Sequence, residues 1–234
     1  MTYRQIVMDT ETTGMPVEEG HKLVEIGAVE LIDRKITKST FHKYINPERE
    51  VDAGALAVHG LDNRFLEQHP VFAQIADDFI DYIRGAELII HNADFDLSFL
   101  NAELTALGKP PVEQIAAGVI DSLKIARDKH PGQRNSLDAL CRRYHIDNSE
   151  RTLHGALLDS EILADVYLAL TGGQWDLSLD QNVDSEGENS SSFTRLTAER
   201  QALKVIQPNE QERQAHQQYI ETLRKNHPDY QWLR

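Results

Sequence analysis

Hydrophobic and polar positions along this chain fall into two periods, and the switches between them mark out its elements. Tyr3-Arg4-Gln5-Ile6-Val7-Met8 reads as a strand, and Leu23 to Leu31 (LVEIGAVEL) alternates like a strand with one polar face. Phe41 to Ile45 makes a third, short strand, stopped by Asn46-Pro47. Short connections between the three predict an antiparallel meander. The period then changes. Phe72, Ile75, Ala76, Phe79, Ile80 and Ile83 recur at helical spacing within Val71 to Arg84, and Gly85 ends the run. Leu88-Ile89-Ile90 is continuously apolar, as in a buried parallel strand.

The same alternation continues to about residue 172. A helix is predicted over Phe95 to Leu107, stopped by Gly108 and Pro110, and a short strand at Val119-Ile120. Asn135 or Ser136 caps a helix through about Tyr144. Gly155 to Leu170 forms the last core helix, closed by Gly172-Gly173. The expected class is α/β, a mixed sheet flanked by helices.

After Gly173 the texture changes. Asp184 to Ser192 (DSEGENSSS) has no bulky apolar residue and reads as a flexible linker. Asn209 to Asn226 predicts a polar helix with few apolar anchors, Ala215, Tyr219 and Leu223. About forty residues build little core alone, so this tail is expected to order on a partner. The expected organisation is a domain over 1–173, a connecting segment over 174–192 and a tail over 193–234. No internal repeat is visible.

Composition narrows the class. At 234 residues, 40% hydrophobic and 26% charged, the chain supports one substantial domain and an appendage. No apolar run approaches the ~20 residues of a membrane helix, and the N-terminus enters the strand pattern with no signal-peptide layout. The single cysteine, Cys141, sits on an apolar helix face and fits a reducing cytoplasm, the expected location. The net charge of −14 argues against a broad basic nucleic-acid footprint. It leaves room for a nucleic-acid enzyme with a small, metal-neutralised site. Residues 183–234 hold 8 acids and 7 Lys/Arg, so nearly all of that charge lies on the preceding residues.

Five residues make the chemistry: Asp9, Glu11, Asp96, His154 and Asp159. Asp9 and Glu11 end the first strand run and, two apart, share a face. Two like charges there repel unless a cation lies between them, and hard divalent ions such as Mg2+ or Mn2+ take carboxylate oxygens. The bland alternative is a strand running into a Thr/Gly turn with two solvated acids. Against it, Asp is a poor strand former, and small Thr12, Thr13 and Gly14 let a ligand approach the backbone.

His91-Asn92-Ala93-Asp94-Phe95-Asp96 follows the buried strand, where α/β sheets bind ligands. Asp94 could be a helix N-cap and Asp96 could face residues 9 and 11; spacing does not choose between them. His154 and Asp159, five apart, lie about 140° apart on a helix, so His154 belongs to the loop or first turn and Asp159 to the helix face.

Together these segments resemble the DEDD-type 3'→5' exonucleases, in the branch with a catalytic histidine. The resemblance is carried by DTETTG (9–14), VEIGAVE (24–30), VHG (58–60), HNADFD (91–96), RNSLDALCRRY (134–144) and HGALLDSEILADVYLALTGGQ (154–174), and covers residues 3–174. It implies a ribonuclease-H-like fold. It implies that Asp9, Glu11, Asp96 and Asp159 bind two divalent cations, Mg2+ or Mn2+, with His154 as general base, an imidazole titrating near working pH. Asp9, Thr10, Glu11, Thr12, His59 and Asn92 would contact a 3'-terminal nucleotide of DNA. One departure is Gly54, where an acid is expected in close relatives, which puts any substrate contact there in doubt.

The resemblance also implies a proofreading role, with the tail from Phe193 tethering the nuclease to a polymerase catalytic subunit. Gln174-Trp175-Asp176-Leu177-Ser178-Leu179 resembles the short peptides that bind bacterial sliding clamps; an ordinary helix exit is the plainer reading. Rival readings are the same chemistry on RNA ends, or a catalytically silent adaptor between clamp and polymerase. A carboxylate-pair glycosidase accounts for Asp9 and Glu11 but leaves His154 and Asp159 without a role.

Overall fold

The computed structural model describes residues 3–149, 151, 153–172 and 207–226. The clamp-like peptide, the linker and most of the tail lie outside the described residues. Strands β1 (Arg4–Thr12), β2 (Leu23–Ile32) and β3 (Lys35–Tyr44) form the expected antiparallel meander. Helices α1 (Ala53–His59), α2 (Asn63–Leu66) and α3 (Phe72–Ile83) lead to β4 (Glu87–Ile90). Then come α4 (Ala93–Ala106), α5 (Val112–Ile115), β5 (Gly118–Asp121), α6 (Ser122–Lys129), α7 (Leu137–Tyr144) and α8 (Ala156–Thr171). The sheet order is β3-β2-β1-β4-β5, with β4 parallel to β1 and β5 parallel to β4.

Period-two alternation splits β1 between two cores. Ile6 and Met8 pack with Phe79 of α3 and Phe99 of α4. Val7 packs on the opposite face with Leu140 of α7 and Leu163 and Val166 of α8. Asp9 and Glu11 continue the Val7 face toward α8, and Thr10 continues the other toward α4. The functional end of β1 therefore lies between two helices from different parts of the chain.

Helix α8 seats closely on β2. A Cβ on Gly27 would lie 2.1 Å from backbone atoms of Ala156 and Leu157, so only glycine permits the approach. Ser160 Oγ donates to the Gly27 carbonyl at 2.9 Å, and Glu25 Oε2 accepts from the Ala156 N–H at 3.1 Å. That buried carboxylate satisfies one of the donors left free at the start of α8.

The elements depart from expectation where the hydrophobic pattern is weak. β3 spans ten residues from Lys35, well before the expected start at Phe41. It is an edge strand, largely exposed before Phe41, so no buried face marks that half. Helices α1, α2, α5 and α6, of four to eight residues, each bury only one or two side chains, so no apolar face marks them in the sequence. Ser136, rather than Asn135, caps α7.

In the second unit, Asp180–Arg234, the described residues include helix α9 (Glu210–Asn226), which matches the helix expected from Asn209. Its start is a reciprocal capping box: Asn209 Oδ1 accepts from Glu212 N at 2.9 Å and Glu212 Oε2 from Asn209 N at 2.8 Å. No helix among the described residues is long and apolar enough to cross a membrane.

Candidate active site

Asp9, Glu11, Asp96, His154 and Asp159 line one cavity of about 270 Å³. They reach it from four places: the end of β1, the first turn of α4, the segment before α8, and the first turn of α8. Asp96 is 2% exposed and accepts a 2.7 Å hydrogen bond from Thr10 Oγ1, so the odd and even residues of β1 both serve the site. Asp159 is 3% exposed. His154 is exposed, and its N–H donates to the Val58 carbonyl at 3.1 Å, tying its segment to α1. Glu11, His154 and Asp159 each offer a ligand atom, all within 4.8 Å of one another.

Electrostatics make this a cation site in the making. Burial holds the Asp9 carboxyl well above the usual carboxylate range, and Asp96, Glu11 and Asp159 add to the effect. Glu11 is pushed up to about 8, first by burial, then by Asp159, Glu25 and Asp96. Asp96 is raised to about 7 by burial, against hydrogen bonds from Thr10 and the backbone that favour its anion. Three carboxylates that burial and mutual repulsion keep from ionising, beside a fourth and an imidazole, form a donor set that fits hard divalent ions.

One cation of the chain's own already lies here. Arg151 donates from Nε to Asp159 Oδ1 at 2.5 Å and from Nη2 to Oδ2 at 2.7 Å. Its Nη1 reaches Asp138 Oδ1 at 2.7 Å, and Nη2 meets His154 Nδ1 at 2.8 Å. Sequence reasoning missed Arg151 because an arginine in an irregular segment carries no periodic signal; its only mark was its place three residues before His154.

A second cavity, about 370 Å³, adjoins the first through Glu11 and Phe95. Thr12, Met15, Ala55, Val58 and His59 contribute to its more apolar wall. His59 is buried, accepts from Leu61 N at Nδ1 and donates from Nε2 to the Thr12 carbonyl. Both ring nitrogens are thus used within the chain, and burial lowers its pKa. His59 offers a bound group its ring rather than a free hydrogen-bonding nitrogen. Gly54 also lines this cavity, and a Cβ there would meet nothing within 4 Å.

The other expected residues fall as follows. Asn92 lies outside both linings; it is exposed, in the left-handed conformation at the start of α4, and its N–H donates to Asp121. Asp94 does not cap α4; its side chain is 82% exposed and pairs with Lys124. His91 lines the first cavity, with its ring nitrogens at 2.9 Å from Ser122 Oγ and the Asn135 carbonyl.

Comparison with known proteins gives this geometry a family. A family model described as Exonuclease matches residues 6–167. The DNA polymerase III subunit epsilon of Salmonella typhimurium is 48% identical over 235 residues, covering 98% of this chain and 97% of that protein. A structure of Exonuclease X in complex with 5' overhanging duplex DNA superposes with a TM-score of 0.55 at 26% identity, covering 71% of this chain and 90% of that one. The nuclease domain of 3'hExo, a DEDDh family member bound to rAMP, gives a TM-score of 0.61 at 21% identity, covering 70% and 90%, and carries the fold alone.

Proposed function

The chain belongs to the exonuclease family, among the epsilon subunits of DNA polymerase III, and on that premise we propose that it removes nucleotides from the 3' ends of DNA as the proofreading subunit of a replicative polymerase. The observation that carries this reading is the convergence of four acids and His154 on one cavity, beside a second, more apolar one. Asp9, Glu11, Asp96 and Asp159 would hold two divalent cations, Mg2+ or Mn2+. When bound, such ions supply an activated water and relieve charge on the leaving oxygen.

The chain's own residues supply the rest. Met15, Ala55 and Val58 give the terminal nucleoside an apolar wall, with Thr12 and the ring of His59 beside it. Thr10 fixes Asp96 through its hydroxyl. His154 takes the proton of the attacking water; its Nδ1 lies 2.8 Å from Arg151 Nη2 and 3.3 Å from Asp159 Oδ2. Frayed ends enter such a pocket more often than paired ones, which is enough for proofreading without reading the mismatch itself.

Beyond the nuclease domain (1–173), the tail (193–234) would dock on the polymerase catalytic subunit. Residues 174–192 would act as a tether that raises effective concentration without fixing geometry. Gln174–Leu179 would touch the sliding clamp, and the assembly would work in the cytoplasm. The test is degradation of a single-stranded DNA oligonucleotide beside an RNA of equal sequence, with Mg2+ and with EDTA. Metal-dependent shortening of DNA with little action on RNA supports the reading. A preference for RNA moves the assignment to an RNA-trimming relative, and cleavage of neither leaves an adaptor.

A further inference from the structure

We propose that Arg151 is a displaceable internal cation: its guanidinium locks Asp159 and His154 together, and a divalent ion that takes Asp159 must break that lock. The proposal rests on the reading above of Asp159 as a metal ligand.

Three contacts carry it. The guanidinium fork takes both Asp159 oxygens, at 2.5 and 2.7 Å, the bidentate geometry in which arginine binds carboxylate best. The same Nη2 donates to His154 Nδ1 at 2.8 Å. His154 Nδ1 also lies 3.3 Å from Asp159 Oδ2, so the guanidinium bridges two groups already side by side. Finally, Nη1 anchors on Asp138 Oδ1 at 2.7 Å, which Asn148 Nδ2 also reaches, at 3.1 Å.

The arginine and a metal ion would compete for the same atoms. The ligand atoms of Glu11, His154 and Asp159 lie within 4.8 Å of one another, and Arg151 holds two of the three residues. The Arg151 side chain is 8% exposed, so solvent screens little of the repulsion between its charge and an arriving ion. Loading the ion and displacing Arg151 from Asp159 and His154 are therefore one event. Arg151 is a positioning residue: it touches neither the reacting phosphate nor water in this scheme, and acts through His154 and Asp159.

The test uses the full chain and Mn2+ alone, with affinity measured by calorimetry for wild type, Arg151→Gln and Asp138→Asn, and folding checked by circular dichroism. Arg151→Gln is expected to bind Mn2+ roughly tenfold tighter. Asp138→Asn separates the lock from a simple field effect. Losing a nearby negative charge would by itself weaken cation binding, whereas losing the anchor of the lock tightens it by a few-fold. In nitrogen NMR, the His154 Nδ1 signal of wild type should shift along a Mg2+ titration, and in Arg151→Gln it should sit near the shifted position before Mg2+ is added. Unchanged or weaker Mn2+ binding in Arg151→Gln, weaker binding in Asp138→Asn, or a His154 signal indifferent to Mg2+ would each overturn the lock while leaving the metal site standing. Should Arg151→Gln fail to fold, Asp138→Asn decides. Wild type that binds no Mn2+ removes the metal reading and the lock with it.

Discussion

Glu11 and Glu25 stand directly opposite each other in the ladder between β1 and β2. Like charges placed so destabilise a sheet unless each finds positive charge or donors. Glu25 has them: His42 Nε2 at 2.7 Å and the Ala156 N–H at 3.1 Å. Glu11 has no such partner among the described residues, and burial first, then Asp159 and Glu25, push its pKa up to about 8. The pair divides the work, one carboxylate seating α8 and the other left for a ligand.

Stability should therefore fall with rising pH in EDTA, from pH 7 to 9. Folding raises Asp96 to about 7 and Glu11 to about 8, so the folded chain holds protons that the unfolded chain releases near 4. The stabilisation is complete below the unfolded values and is lost as pH climbs through the folded ones. The lowered histidines, His59 and His91, act below this window. A melting temperature lower by roughly 5 °C or more at pH 9 than at pH 7 is expected, with Mg2+ or Mn2+ restoring more at pH 9. A flat or rising profile in EDTA would contradict the electrostatic account.

Asp9→Asn and Asp159→Ala should both lower activity by about 10²–10³-fold or more, yet move stability in opposite directions. Asp9→Asn removes one of several mutually repelling acids and should raise the melting temperature in EDTA at pH 8. Asp159→Ala leaves the largely buried Arg151 guanidinium without its bidentate partner. Breaking a buried pair from one side costs about 3–5 kcal/mol, so its melt should fall by roughly 6 °C or more. Equal melts for the two variants would sink this distinction.

Gly27→Ala tests how α8 carries the site. The added methyl carbon meets backbone at 2.1 Å, where no side chain can swing aside, so the helix must move. The expected loss is about 3 kcal/mol or more, with a drop in turnover because Asp159 travels with α8. A stable, fully active Gly27→Ala protein would show that this close seating is not needed.

Deleting residues 183–234 should leave nuclease activity on free oligonucleotides unchanged and abolish co-purification with the polymerase catalytic subunit. Retained co-purification would place the polymerase contact in the first 182 residues and end the tether reading.

Much of this was legible in the sequence. The period-two placement of Asp9 and Glu11 put both on one face of β1, and five-residue spacing separated His154 from the helix that bears Asp159. Asp94 and Asp96 could not be told apart by spacing, because both lie in the first turn of α4. Burial separates them: Asp96 is enclosed beneath Thr10, and Asp94 points to solvent. Arg151, Asp138 and the capping role of Glu25 were not legible, since each depends on a contact between distant segments. His59 read as a substrate contact, and its two internal hydrogen bonds also give it the task of holding the Thr12 backbone.

The decisive measurement is digestion of one DNA oligonucleotide labelled in turn at each end, with Mg2+, for wild type and His154→Gln. Wild type should give a descending ladder from the 5' label and immediate mononucleotide from the 3' label, both abolished by EDTA. His154→Gln should slow the ladder by about 10²–10⁴-fold with DNA affinity unchanged. Internal cleavage, release from the 5' end, or full activity in EDTA or in His154→Gln would contradict a metal-dependent 3'-exonuclease with His154 as its base.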